Sequence, residues 1–125
     1  MRLLAGLAFV LILVTALPLN ASAHAALVKS SPARGTTLLQ HPQRVELVFS
    51  ERLEPEYSTV EVVDAANQQV DLRDGSLSPA DSRRLTVSLP PLTAGKYTVR
   101  FRVLSVDGHV VQSEFPFTIA PRAAR

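Results

Sequence analysis

Hydrophobic and polar residues alternate along most of the chain after residue 44, with the period of two that is typical of β-strands buried on one face. The alternating segments are residues 45–49, 60–62, 85–89, 97–103 and 115–119. No segment keeps the period of 3.6 residues that an amphipathic helix requires. The pattern therefore predicts an all-β domain.

Turn signals separate these segments and suggest two further strands, at residues 25–31 and 70–72. Proline and glycine residues mark the turns, while the polar residues 73–84 are predicted to form a loop. Residues 92–97 have the form of a tyrosine corner, in which Tyr97 would hydrogen-bond back to the preceding arch. About seven short strands with these turns predict an antiparallel Greek-key β-sandwich or barrel of immunoglobulin-like topology.

The N-terminal residues have the organisation of a secretory signal peptide. Arg2 is followed by an apolar run over residues 3–19 and by Ala21-Ser22-Ala23, a small-residue cleavage site. We therefore predict a signal peptide at residues 1–23 and one mature domain at residues 24–125; an uncleaved membrane anchor is the alternative. The chain has no cysteine, so neither a lipid-attachment cysteine nor a disulfide is available.

Charge and hydropathy argue against two classes of partner. The chain carries 13 Lys and Arg residues against 11 Asp and Glu residues, a formal net charge of +2, without a run of basic residues. Nucleic acid and anionic membranes are therefore poor candidates. No second apolar segment follows the leader, so the mature form is not expected to be embedded in a membrane.

The candidate chemistry lies in Asp107-Gly108-His109. On an extended backbone, Asp107 and His109 would leave the same face and offer one oxygen and one nitrogen to a divalent transition metal. Taken alone, such a triplet is more often a hairpin turn with an exposed histidine. Cleavage before His24 would add a second donor group, because a terminal histidine carries an α-amino group beside its imidazole. The remaining histidine, His41, precedes a proline and is predicted to lie in a surface loop.

The predicted topology brings these groups together. In an immunoglobulin-like sandwich, the start of the first strand lies at the same end as the loop after the second strand and the loop between the sixth and seventh. These positions hold His24, Glu51, Asp107 and His109. Three nitrogens and one oxygen in a near-planar set suit Cu(II). Glu51 is interpreted either as a second-shell acceptor for an imidazole N–H or the terminal amine, or as an exposed loop carboxylate.

Several motifs in combination resemble the CopC family of periplasmic copper-resistance proteins. They are His24, Ser-Ser-Pro-Ala-Arg-Gly at residues 30–35, Phe-Ser-Glu at 49–51, residues 92–97, and Ser-Val-Asp-Gly-His at 105–109. The resemblance implies an immunoglobulin-like or cupredoxin-like β-sandwich that binds Cu(II) and takes part in copper resistance or homeostasis outside the cytoplasm.

The resemblance also implies a ligand set and a cellular role. The Cu(II) ligands of the family carry over to His24, Asp107 and His109, and its nearby glutamate to Glu51, with one Cu(II) per mature chain. Some members hold Cu(I) on methionines, but Met1 is the only methionine here, so no Cu(I) methionine site is expected. The implied protein is a monomeric carrier or buffer in the periplasm, or secreted or on the cell surface where the host lacks an outer membrane. Its candidate partner is a copper-transporting inner-membrane protein.

Two other functions compete with a non-enzymatic carrier. The first is a copper-dependent oxidative enzyme with a histidine brace, which also uses an N-terminal histidine and a second histidine. Asp107 would then occupy a position that oxygen needs, and two tyrosines without a tryptophan offer little surface to grip a glycan. The second is an immunoglobulin-like interaction module with incidental histidines. We therefore predict a copper carrier and no enzymatic activity.

Overall fold

The computed structural model describes residues 25–122; the predicted leader and His24 lie outside the described residues. The described chain forms eight β-strands and one short 3-10 helix. The strands are β1 (Leu27–Ser31), β2 (Thr37–Leu38), β3 (Arg44–Phe49), β4 (Thr59–Val63), β5 (Ser76–Ser78), β6 (Asp81–Ser88), β7 (Gly95–Leu104) and β8 (Val110–Ile119), and the 3-10 helix is Pro55–Tyr57.

The strands form two four-stranded sheets that pack face to face. One sheet has the order β1-β3-β6-β5 and the other β2-β8-β7-β4. All pairs are antiparallel except β2 with β8, which is parallel. Apart from the two-residue β2, this is the four-plus-three strand order of an immunoglobulin constant-type sandwich. The predicted all-β sandwich is confirmed, and β2 is the short strand beyond the seven.

The core consists of the inward residues of both sheets, which are those of the alternating pattern. Val45, Leu47 and Phe49 on β3 are 0–1% exposed, and Phe115 and Phe117 on β8 are equally buried. The rings of Phe49 and Phe101 meet edge to face at a centroid distance of 5.3 Å. Because cysteine is absent, this apolar interior and the strand hydrogen bonds hold the domain together.

The tyrosine corner is present at the start of β7. The Tyr97 hydroxyl donates a hydrogen bond to the Thr93 carbonyl oxygen at 2.6 Å, and its ring stacks on Phe117 at 5.5 Å. The prediction for residues 92–97 is therefore confirmed, and the arch before β7 is tied to the strand that carries the candidate site at its far end.

Two predictions of secondary structure were wrong. Part of the polar segment 73–84 forms the edge strand β5 and the start of β6, which lack alternation because Leu77 is the only large aliphatic residue in residues 76–84. The expected strand at residues 70–72 is irregular. There the buried Asp71 carboxylate accepts hydrogen bonds from the Val62 and Arg73 amides, both at 2.8 Å. The segment therefore hydrogen-bonds to the edge of β4 through a side chain and does not form a regular strand there.

Three chain segments meet at one end of the sandwich, here called the hairpin end: residues 25–26, 50–58 and 105–109. The Ser50 amide donates to the Ala26 carbonyl at 2.8 Å, and the Val106 amide donates to the Arg52 carbonyl at 3.0 Å. The convergence predicted for the strand start and the two loops is therefore present in the described residues.

Between residues 25 and 122 there is no helix of the length and apolarity needed to cross a membrane.

Candidate metal centre

The connection between β7 and β8 is a tight hairpin. The Gly108 amide donates to the Ser105 carbonyl at 2.9 Å, and the Ser105 amide donates to the His109 carbonyl at 2.9 Å. Gly108 has a φ of +93°, in the region that favours glycine. Asp107 and His109 therefore lie on a hairpin turn, the more common arrangement for such a triplet, and not on an extended backbone.

The turn nevertheless brings the two donor side chains together. His109 Nδ1 lies 3.1 Å from Asp107 Oδ1, and the side chains are 47% and 36% exposed. Two ligands held about 2 Å from one ion at a right angle lie about 2.8 Å apart. The separation of these two atoms is therefore comparable to that of two adjacent ligands of one first-row ion, while in this structure the imidazole hydrogen-bonds to the carboxylate.

Ser105 contacts Asp107 from the protein interior, and the sequence did not indicate this contact. The residue is 1% exposed, and its hydroxyl donates a hydrogen bond to Asp107 Oδ1. The His109 amide points at the same group, 3.2 Å from Asp107 Oδ1 and 3.3 Å from Ser105 Oγ. Serine is too common in turns for its identity to signal this contact, and only its position directly before the loop could have suggested it.

The hydrogen bonds also affect the charge of the site. The Ser105 hydroxyl lowers the pKa of Asp107 by more than desolvation raises it, and smaller effects of the His109 imidazole and amide lower this pKa further. Metal ligands must be deprotonated to bind. The carboxylate is therefore held in the form that a cation needs.

The structure gives less information on the other two predicted site residues, Glu51 and His24, than on the Asp107–His109 pair. Glu51 is partly buried in the segment between β3 and the 3-10 helix, which joins the start of β1 to the hairpin. His24 lies outside the described residues, but the adjacent Ala25 is fully buried and Ala26 donates its amide to Ser50 Oγ at 2.8 Å. Within residues 25–122, no group of three or more His, Cys, Asp or Glu side chains is arranged to hold a metal.

His41 is exposed between β2 and β3. The nearby Gln43 carbonyl accepts the amide of Leu89, which follows β6 at the end opposite the hairpin. The prediction of a surface-loop histidine away from the candidate site is confirmed.

Residues 27–120, from the first residue of β1 to the residue after β8, match the family model of the CopC domain. The chain belongs to the CopC family. Its resemblance to that family is thereby confirmed. The match includes Glu51, Asp107 and His109, whereas His24 precedes it.

This CopC domain is similar in sequence to two curated proteins and in structure to one solved protein. It is 32% identical over 105 residues to copper resistance protein C of Pseudomonas syringae pv. tomato, covering 79% of this chain and 82% of that protein. The crystal structure of CopC from Methylosinus trichosporium OB3b superposes with a TM-score of 0.75 at 34% identity, over 82% of this chain and 99% of that one. The copper transport protein CutJ of Bacillus subtilis is 32% identical over 104 residues, which are 82% of this chain but 19% of CutJ.

Proposed function

We propose that this CopC domain is an exported copper-binding protein that acts as a carrier or buffer in copper resistance or homeostasis. The observation that carries the proposal is the Asp107–His109 pair, held 3.1 Å apart on a hairpin that contacts the same chain segment, residues 50–58, as Ala26 does. The names of its CopC-family relatives support the choice of copper as the cargo.

The proposed ligands are the α-amino group and imidazole of His24 together with Asp107 and His109. Ala26 hydrogen-bonds to Ser50, and two residues later Arg52 hydrogen-bonds to Val106. Two residues of chain span at most about 7 Å, so the contact made by Ala26 and the contact made by Val106 are close together along this segment. The terminal amine and imidazole would chelate the ion in one ring, and Asp107 and His109 would complete the set.

The donor types support one Cu(II) per chain and no Cu(I) methionine site. Imidazole, amine and carboxylate suit Cu(II), whereas Cu(I) prefers thiolate and thioether. The chain has no cysteine and no methionine after Met1. We propose Glu51 as an outer acceptor for an N–H of His24, since metal-bound imidazoles usually donate their second N–H to a carboxylate, carbonyl or water.

A carrier role fits the exposure of the site better than oxidative catalysis does. Asp107 and His109 stand at a loop tip, where an acceptor can reach the ion, and Asp107 would take a position that oxygen needs. We propose a monomeric periplasmic protein, secreted or surface-bound in a host without an outer membrane, that neither binds nucleic acid nor embeds in a membrane. A copper-transporting inner-membrane protein is the proposed partner.

The test is a Cu(II) titration of residues 24–125, followed by electron paramagnetic resonance. We expect one equivalent to bind with signals from nitrogen ligands. A matched His41→Ala variant should bind identically, because His41 lies at the opposite end of the sandwich. Absence of a tight equivalent, or a loss of binding in His41→Ala, would contradict the proposed site.

A further inference from the structure

Ser105 directly follows the last residue of β7, and its hydroxyl reaches the candidate site from the protein interior. We propose that Ser105 is a positioning residue, which orients the Asp107 carboxylate before the metal arrives. The proposal rests on the proposed function, because it assigns Ser105 a role toward the same ion. Ser105 is not itself proposed as a ligand.

Ser105 is anchored firmly enough to orient a neighbour. It is 1% exposed, and it forms an antiparallel bridge with Leu53, which is 2% exposed. Its amide donates to the His109 carbonyl at 2.9 Å. The Cα atom of Ser105 is therefore fixed between the core and two backbone segments, and its hydroxyl projects from a rigid position.

The carboxylate of Asp107 lacks such anchoring of its own. Its side chain is 36% exposed on the loop tip, and the terminal torsion of an aspartate is broad. The Ser105 hydroxyl and the His109 amide both donate to Oδ1, and the same oxygen faces Nδ1 of His109. These contacts select one rotation of the carboxylate, which lowers the ordering cost that metal binding would otherwise incur.

The hydroxyl has a secondary part in closing the hairpin, because Ser105 Oγ lies 3.3 Å from both the carbonyl oxygen and the amide nitrogen of His109. The turn is closed by the backbone hydrogen bonds of Gly108 to Ser105 and of Ser105 to His109, which an alanine at position 105 would keep. Ser58 provides the comparison. It is also buried, at 5% exposure, and its hydroxyl accepts the Leu104 amide at 3.2 Å, one residue from Ser105. This hydrogen bond joins two segments of the scaffold and involves no carboxylate.

The experiment compares Ser105→Ala, Ser105→Thr and Ser58→Ala in the mature protein. Two quantities are measured: the Asp107 carboxyl pKa by NMR without metal, and the Cu(II) dissociation constant by competition. In Ser105→Ala we expect a higher pKa and about tenfold weaker Cu(II) binding, the lower range for loss of an outer-shell partner. Ser105→Thr should restore both values, because the hydroxyl is kept. Ser58→Ala should lower the unfolding midpoint and leave both values unchanged.

Two outcomes would overturn the positioning role. One is that the Asp107 pKa in Ser105→Ala equals the wild-type pKa and that the Cu(II) dissociation constant stays within twofold of the wild-type constant. The other is an equal loss of Cu(II) affinity in Ser105→Ala and Ser58→Ala, which would indicate general destabilisation. Failure of the wild-type protein to bind Cu(II) would contradict the proposed function instead, while a raised Asp107 pKa in metal-free Ser105→Ala would still support the orientation of the carboxylate by Ser105.

Discussion

Asp107 and His109 place an oxygen and a nitrogen 3.1 Å apart because a buried serine and a tight turn restrict both residues. Neither donor is buried enough to be required by the core. This separation between donors and scaffold means that the metal-binding property and the stability of the domain should respond to different substitutions.

The first prediction at the residue scale concerns Asp107→Asn and His109→Ala. Each should weaken Cu(II) binding at least tenfold, which corresponds to about 1.4 kcal/mol, because Asp107→Asn replaces an anionic donor by a neutral amide and His109→Ala removes the imidazole. The midpoint of thermal unfolding should stay within a few degrees, since both side chains are exposed. Competition titration and circular dichroism provide the measurements, with His41→Ala as control. Loss of β-structure in either metal-free variant would show that these residues are structural.

The second prediction concerns pH. The lowered pKa of Asp107 means that its contribution to stability is present above the unfolded-state pKa of about 3.9 and is lost as pH falls through the folded value.

The pH dependence of Cu(II) binding depends on the nitrogen donors. Free imidazoles and α-amino groups have reference pKa values of about 6.5 and 7.7–8.0. Cu(II) binding should therefore weaken steeply below about pH 6, while Asp107 is still ionised. A binding curve that stays flat down to pH 4.5 would contradict nitrogen ligation.

At the scale of the element, the β7–β8 hairpin determines the site through its turn. Gly108 has a φ of +93°, and a Cβ added there meets no atom within 4 Å. The constraint at this position is thus backbone conformation and not space. The same holds for Gly35, which has a φ of +71° with open surroundings, in the connection between β1 and β2.

This comparison leads to a prediction for Gly108→Ala and its matched control Gly35→Ala. Each should lower the free energy of unfolding by about 1–2 kcal/mol, because an alanine is strained at positive φ. Gly108→Ala should also weaken Cu(II) binding by shifting the turn, whereas Gly35→Ala should not. Urea denaturation and Cu(II) competition test both effects. Equal Cu(II) affinity in the two variants would mean that the hairpin tolerates distortion and that its turn does not set the site.

At the scale of the whole molecule, the sandwich joins residues that are distant in sequence. Ala26 meets Ser50 and Arg52 meets Val106, so one end of the domain brings residues 25–26 together with a hairpin some 80 residues later. The proposed CopC site would depend on where the mature chain begins, and therefore on the proposed cleavage of the leader before His24.

The corresponding prediction uses one extra residue, such as a retained methionine ahead of His24. The α-amino group then becomes an amide, so one nitrogen donor and the chelate ring are lost while the imidazole remains. We expect normal folding and at least tenfold weaker Cu(II) binding, about 1.4 kcal/mol or more, with fewer nitrogen ligands by electron paramagnetic resonance. Intact-mass measurement of exported protein checks the cleavage. Equal affinity of the extended and native forms would leave only Asp107 and His109 as donors.

The sequence alone determined the fold class and most of the strands. Inward residues of a sandwich must be apolar at every second position, so β3, the end of β6, β7 and the end of β8 could be recognised without any contact information. Tyr97 was also predictable, because its bond to Thr93 spans only four residues. Asp107 and His109 were identifiable as donors from residue type and spacing.

Only the tertiary structure decided how those donors meet and what supports them. Of the two backbone geometries considered for Asp107 and His109, extended or hairpin turn, the structure has the turn, because the hairpin register and the positive φ of Gly108 act together. The edge strand β5 and the irregular segment at Asp71 depend on neighbouring strands, and their own residues carry little periodic signal. Ser105 becomes a partner of Asp107 because it is buried beside Leu53, directly after the last residue of β7. Leu53 is 52 positions away in the chain, so this burial depends on the assembled sheets and cannot be recognised from a local sequence pattern.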